Sequence, residues 1–313
     1  MVNAANATRQ PSVLRVWFVM QMKALLEIRL RLTVIFVQLQ PRISRLSWIG
    51  AKQNLKSLDA KLKKMTDWHV HIGQFNDVYY DYHDVFAALK NNDVDEIYLA
   101  YLTPLINKED VALQFYESVV HELKVVKRYA KKIQLKVNFL YWADPLVLKQ
   151  LALEKIYDDF RYSGIALHPV LHNWTGEFTK ELSDIFSFAR KKSTQLFIHT
   201  GVSKNDEPLQ FEKWFSEYPE VKVRLAHCKD SEPIIQLFQK YPNLSGDTAF
   251  CPTDSYDDIC KAGFAERMFF GTDFPISHWY EHRNDDDKKY DVQELTEHYN
   301  KNVIASTKCE AIS

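Results

Sequence analysis

Asp67-Trp68-His69-Val70-His71 is the stretch whose reading decides the fold. Strand side chains alternate between two faces, so His69 and His71 point the same way. Two imidazoles converging like this can bind one divalent metal. Trp68 and Val70 are strand formers, and Gly73 follows as a breaker. A lone His-x-His is a common chance pair. This one gains meaning from later apolar runs that also finish on His or Asp.

Eight runs read as strands: Thr66–His71, Glu96–Leu102, Leu135–Trp142, Gly164–His168, Gln195–His199, Val221–His227, Asn243–Ala249 and Met268–Asp273. Most are rich in Val, Ile, Leu, Phe and Tyr, as expected of strands covered on both faces of a parallel sheet. Amphipathic stretches separate them: Tyr82–Asn91, Glu109–Lys132, Pro145–Phe160, Thr179–Lys192, Glu207–Glu217, Pro233–Lys240, Ser255–Ala262 and Val292–Ser306. In the long one, Val111, Phe115, Val119, Leu123 and Val126 form the apolar stripe, and cations gather near its end. Asp144 before Pro145 reads as an N-cap with proline at the first helical position. Strand–helix alternation on this scale predicts an α/β protein, a (β/α)8 barrel. A doubly wound open sheet is the alternative, but no Gly-x-Gly-x-x-Gly follows any strand.

In such a barrel, chemistry sits at the C-terminal ends of the strands. Here the first strand ends on His69 and His71, the fourth in Leu167-His168-Pro169 and the fifth in His199-Thr200-Gly201. The sixth ends in Ala226-His227-Cys228 and the eighth in Gly271-Thr272-Asp273-Phe274-Pro275. Five of the eight strands thus finish on His or Asp at one rim, against the usual reading of a single histidine as a hydrogen-bonded core residue.

This series resembles the amidohydrolase superfamily, in particular its amidohydrolase-2 branch, over most of residues 65–275 and in the expected order. The resemblance implies a distorted (β/α)8 TIM barrel and a metal-dependent hydrolase, or a decarboxylase built on the same site. Carried over by position, it implies that His69, His71 and His199 ligate a divalent metal. Asp273 would be a further ligand or the base toward water, and His227 would stand beside the metal as a second ligand site, a general acid or base, or an electrostatic stabiliser. Imidazoles with a carboxylate suit Zn²⁺. Two-metal members usually bridge their ions with a carboxylated Lys or a Glu near the end of the fourth strand. Residues 163–172 hold no Lys, Glu or Asp, so one Zn²⁺ is expected.

Further residues could line the pocket. His168, Trp142 and Trp174 are candidates for substrate binding. Lys229 could pair with an anionic substrate, although a solvated lysine is the plainer reading. Asp247 could support the site or cap a helix. His121 and His298 fall on helical patterns and read as solvated, and His278 and His282 as ordinary loop histidines. Asp285-Asp286-Asp287-Lys288-Lys289 reads as an exposed loop.

The formal charge of −1 hides an asymmetry. Residues 1–64 carry 12 Lys+Arg against Glu27 and Asp59, about +10, and the rest of the chain about −11. The acidic body offers no basic footprint for nucleic acid. Apolar runs in 1–64 are too short to span a bilayer and lack a signal-peptide cleavage pattern. The segment reads as a basic extension, as a transit peptide, or as sequence upstream of a true start at Met65; the last is favoured because a strand begins immediately after it. Cys228, Cys251, Cys260 and Cys309 form no C-x-x-C pair, in keeping with a reduced, cytoplasmic setting. A small-molecule substrate is expected, and a homo-oligomer stays open. Three functions follow: hydrolysis of an amide, cyclic amide or lactone; metal-dependent non-oxidative decarboxylation; or a non-enzymatic binding barrel. No Arg at a placed strand end is available for a substrate carboxylate, which weighs against decarboxylation.

Overall fold

The computed structural model describes residues 64–104, 108–172, 174, 179–201, 203–284 and 290–310. The basic segment up to Lys63 and the run Asp285–Lys289 lie outside the described residues. Among the described residues, nine strands form one curled sheet: β1 (Met65–Phe75), β2 (Val78–Tyr80), β3 (Val94–Leu102), β4 (Lys136–Trp142), β5 (Gly164–Leu167), β6 (Gln195–His199), β7 (Val223–Ala226), β8 (Leu244–Asp247) and β9 (Met268–Phe269). Their order is β2-β1-β3-β4-β5-β6-β7-β8-β9; only the β1–β2 pair is antiparallel. The segment after β9 returns to β1 through Trp68 N–H to Phe270 O (2.9 Å), His71 N–H to Phe274 O (2.8 Å) and one parallel bridge, Val70 to Phe274. A few bonds in place of a regular ladder make this a distorted barrel rather than a regularly closed one.

All eight expected strands are present, several trimmed at their ends. Alternation explains their two faces. Ile97 and Leu99 on β3, Ile165 and Leu167 on β5, and Leu196 and Ile198 on β6 are buried in the large core beneath the helices. Ala100, Leu140, Ala166 and Phe197 form a separate small core inside the barrel, packed by Trp68, Tyr98 and Trp142. Below the rim, the buried Arg224 guanidinium lies 3.8 Å from the Trp68 ring centre and 4.0 Å from that of Phe269.

Helices Tyr82–Asn91, Glu109–Lys132 and Thr179–Lys192 stand where the periodicity places them. Asp144 caps as its position before Pro145 implies, accepting a bond from Leu146 N–H at 2.7 Å. That stretch nevertheless breaks into Pro145–Leu148 and Leu153–Asp159. In the long helix the buried stripe runs through Ala112, Tyr116, Val119, Leu123 and Val126, while Val111 is exposed. Additional elements include the β1–β2 hairpin, the short helix Pro169–His172 and the helix Ile276–His282. Among the described residues no helix is long and apolar enough to cross a membrane.

Candidate metal centre and active site

The first-strand histidines are held from both sides of the barrel seam. Asp67 is fully buried and accepts four hydrogen bonds: His69 N–H (3.0 Å), Thr272 Oγ1–H (2.6 Å), Thr272 N–H (3.2 Å) and Tyr299 O–H (2.9 Å). It therefore ties β1 to the segment that carries Asp273 and to the C-terminal helix Val292–Glu310. Burial raises its carboxyl to about 6 despite those donors. Gly271 lets the seam close, because a Cβ there would stand 3.0 Å from the His69 Cβ and 3.3 Å from that of Asp247. His227 and Asp273, with φ of 72° and 54°, adopt the left-handed region as their strands turn off at the rim.

His69 Nδ1–H donates to Asp247 Oδ2 (3.1 Å), which leaves Nε2 facing Asp273 Oδ1 at 3.5 Å. His71 Nδ1–H donates to Ala100 O (3.3 Å), which leaves Nε2 facing the same oxygen at 2.9 Å. Two imidazole lone pairs thus aim at one carboxylate oxygen, an arrangement that calls for a shared cation. Around a tetrahedral Zn²⁺ with ligands at about 2.0–2.1 Å, ligand atoms are separated by roughly 3.3 Å. The observed 2.9 and 3.5 Å bracket that value. The three ligand atoms lie within 4.8 Å of one another, so the donor set fits a divalent metal.

Burial disfavours a charged His69, yet Asp247 and Asp273 push it up to about 9. Burial drives His71 down, only partly opposed by Asp273. Asp273 is itself buried, but His69 and His71 hold it far below the usual carboxylate range.

The remaining rim histidines continue the arc. His227 Nδ1–H donates to Ala249 O (2.9 Å), so its Nε2 accepts from His199 Nδ1–H (2.9 Å). Burial and the neighbouring His199 lower His227 to about 3. Asp247 accepts the His227 and Ala249 backbone N–H groups at 3.0 and 3.2 Å, so one carboxylate orients His69 and His227 together. His199 Nε2 faces Asp206 Oδ2 at 3.6 Å. Gly201 makes room for that carboxylate, since a Cβ there would collide with it. His199 is thus placed beside His227 and outside the tight His69–His71–Asp273 group. His168 stacks on His199 with ring centres 3.9 Å apart, and its Nδ1 accepts from Leu171 N–H (3.2 Å).

These groups stand at a cavity of about 400 Å³ whose wall includes Trp142, His168, Lys229, Phe250, Ile276 and Tyr280. Trp142 and His168 thus line the cavity. Trp174 does not: it is fully buried, donates its indole N–H to Ala143 O (3.1 Å) and is a core residue. Lys229 is exposed and reaches the cavity. His298, expected in solvent, is buried against Ser277 and Asn302. Asp67 and Asp206 escaped the sequence reading, and nothing local to either marks its role.

The sequence model of the family described as "Amidohydrolase" matches residues 117–300, more than half of the chain. The chain belongs to the amidohydrolase family. The matched stretch contains His199, His227 and Asp273, while His69 and His71 precede it and join the site through the barrel seam. Its buried His/Asp clusters are those of a metal-dependent enzyme of this family.

A comparison with curated proteins gave no match. Among solved structures, the chain is similar to a "probable 2-pyrone-4,6-dicarboxylic acid hydrolase" from Acinetobacter baumannii with citric acid bound. The identity is 11%, the TM-score 0.50, and 79% of this chain and 95% of that one are covered. It is similar to the same degree to a 2,6-dihydroxybenzoate decarboxylase complexed with 2,6-dihydroxybenzoate, at 12% identity and TM-score 0.50, covering 76% and 91%. At such identities these likenesses speak for the fold.

Proposed function

We propose that this amidohydrolase is a hydrolase of a small-molecule C–N or C–O bond, such as an amide, a cyclic amide or a lactone. The observation that carries the reading is the pair of Nε2 atoms of His69 and His71 aimed at one oxygen of Asp273. Those three residues would hold one divalent ion, Zn²⁺ by their chemistry, and His199, whose ring nitrogens face His227 and Asp206, would join them as a fourth ligand only by turning its ring. When bound, such an ion polarises a carbonyl and lowers the pKa of water toward about 7.

The chain's own groups supply the rest. Asp273, kept ionised at neutral pH, takes the proton of the attacking water. His227, anchored at Nδ1 by Ala249 O, would polarise the carbonyl or protonate the leaving group once its Nε2, here the acceptor of the His199 N–H, has taken up the proton that Asp273 removes from water. Trp142, Phe250 and Tyr280 give the cavity flat apolar walls suited to a ring, and Lys229 can meet a carboxylate at the mouth.

Lys229 also favours the second reading, non-oxidative decarboxylation, by offering the cation that the strand ends lack. Full-length, metal-replete protein separates the two. Ring-opened or cleaved product from lactones and amides, without CO2, supports hydrolysis. CO2 from aromatic or unsaturated acids, with no hydrolysis of lactones or amides, would replace it with decarboxylation. Absence of any stoichiometric metal would sink both.

A further inference from the structure

We propose a second divalent-metal site, separate from the rim, formed by His278, His282 and Glu294. His278 and His282 are four residues apart on the helix Ile276–His282, so they share one face. Their rings are 4.5 Å apart and inclined by 30°. Glu294, in the first turn of the helix Val292–Glu310, closes the set. Its Oε1 lies 3.2 Å from His278 Nε2 and 3.8 Å from His282 Nε2. These spacings stand close to the roughly 3.3 Å edge of a tetrahedral zinc site. All three ligand atoms fall within 4.8 Å of one another.

Two imidazoles with one carboxylate select Zn²⁺ or a comparable nitrogen-preferring ion over Mg²⁺ or Ca²⁺, which favour all-oxygen shells. Outer contacts support the first ligand: His278 is buried, and its Nδ1 lies 3.4 Å from Tyr80 Oη, a partner that fixes the ring. The side chains of His282 and Glu294 are 37% and 40% exposed, which gives an ion a path from solvent. Three ligands, two of them half-exposed, make this the weaker of the two sites, with water completing the shell.

The location gives the site a consequence. The helix bearing both histidines begins three residues after Asp273 and contributes Ile276 and Tyr280 to the cavity wall. An ion here clamps that wall to the C-terminal helix.

The test is Zn²⁺ titration of chelator-stripped, full-length protein, read by calorimetry, with thermal melting in parallel. Wild type takes up one ion tightly and a second more weakly, and excess Zn²⁺ raises its Tm further. His282→Gln and Glu294→Gln each lose the weaker event and the additional Tm rise, and keep the tight one. His69→Ala with His71→Ala loses the tight event and keeps the weaker, so failure of the rim site and of this site are read apart. Identical weaker binding in wild type, His282→Gln and Glu294→Gln, or no weaker event in wild type, overturns the proposal.

Discussion

Two histidine pairs that each face a single carboxylate oxygen differ in nearly everything except composition. His69 and His71 are spaced by two on a strand; His278 and His282 are spaced by four on a helix. Each pair aims at one carboxylate oxygen, at 3.5 and 2.9 Å in the first and 3.2 and 3.8 Å in the second. The first pair is set in a barrel seam, where Asp67, Asp247 and Ala100 O fix backbone and rings before any ion arrives. The second has Tyr80 behind one ring and solvent beside the other ligands. Ligand spacing alone therefore does not make a catalytic centre. What separates the two is the buried support and the cavity in front.

The comparison breaks most visibly at the rim ligands. His69→Ala with His71→Ala is expected to abolish turnover and tight metal uptake together, as read by elemental analysis beside an activity assay. Next comes His227→Asn, which should keep the metal and lower kcat by about 10²–10⁴-fold with little change in KM. A metal-depleted His227 variant would make that residue a ligand instead of an acid–base group. Asp247→Asn removes the charged partner of His69 Nδ1, and a metal affinity about 10–100-fold weaker is expected by chelator competition. Unchanged affinity would mean that the rim does not depend on its support.

A further effect, on stability and not on the metal, concerns Asp67. Its carboxyl is raised by burial from 3.8 to about 6, so the folded state binds its proton more tightly than the unfolded chain does. Its stabilising contribution is full below pH 4 and lost as pH rises through about 6, a change of about 3 kcal/mol. Denaturant titrations from pH 4 to 7 should show wild type losing stability relative to Asp67→Asn across that window. Parallel curves would show that the burial of Asp67 carries no such cost.

How much of this was legible follows from the range of each interaction. The eight strands and the His/Asp residues ending them were readable, because alternation and apolar runs are local. The β1–β2 hairpin was not: β2 has three residues, and the turn rests on Asn76 at φ 50°. The break between Leu148 and Leu153 carries neither Gly nor Pro to announce it. Asp67 was invisible as a support because Thr272 and Tyr299 lie 205 and 232 residues away. Trp174 was misplaced because a loop sequence does not say which way an indole turns. The His278–His282 pair read as ordinary loop residues because the helix after Pro275 is only seven residues long, and its carboxylate comes from another helix.

The central claim is that the strand pair holds a tight, functional metal where the helix pair holds a weaker one. Metal stoichiometry on full-length wild type and on the His69→Ala, His71→Ala variant, after dialysis to remove weakly held ions, tests it most directly. The account predicts about one ion per chain in wild type and none in the variant. An equal tight content in both, or none in wild type after loading, would contradict it.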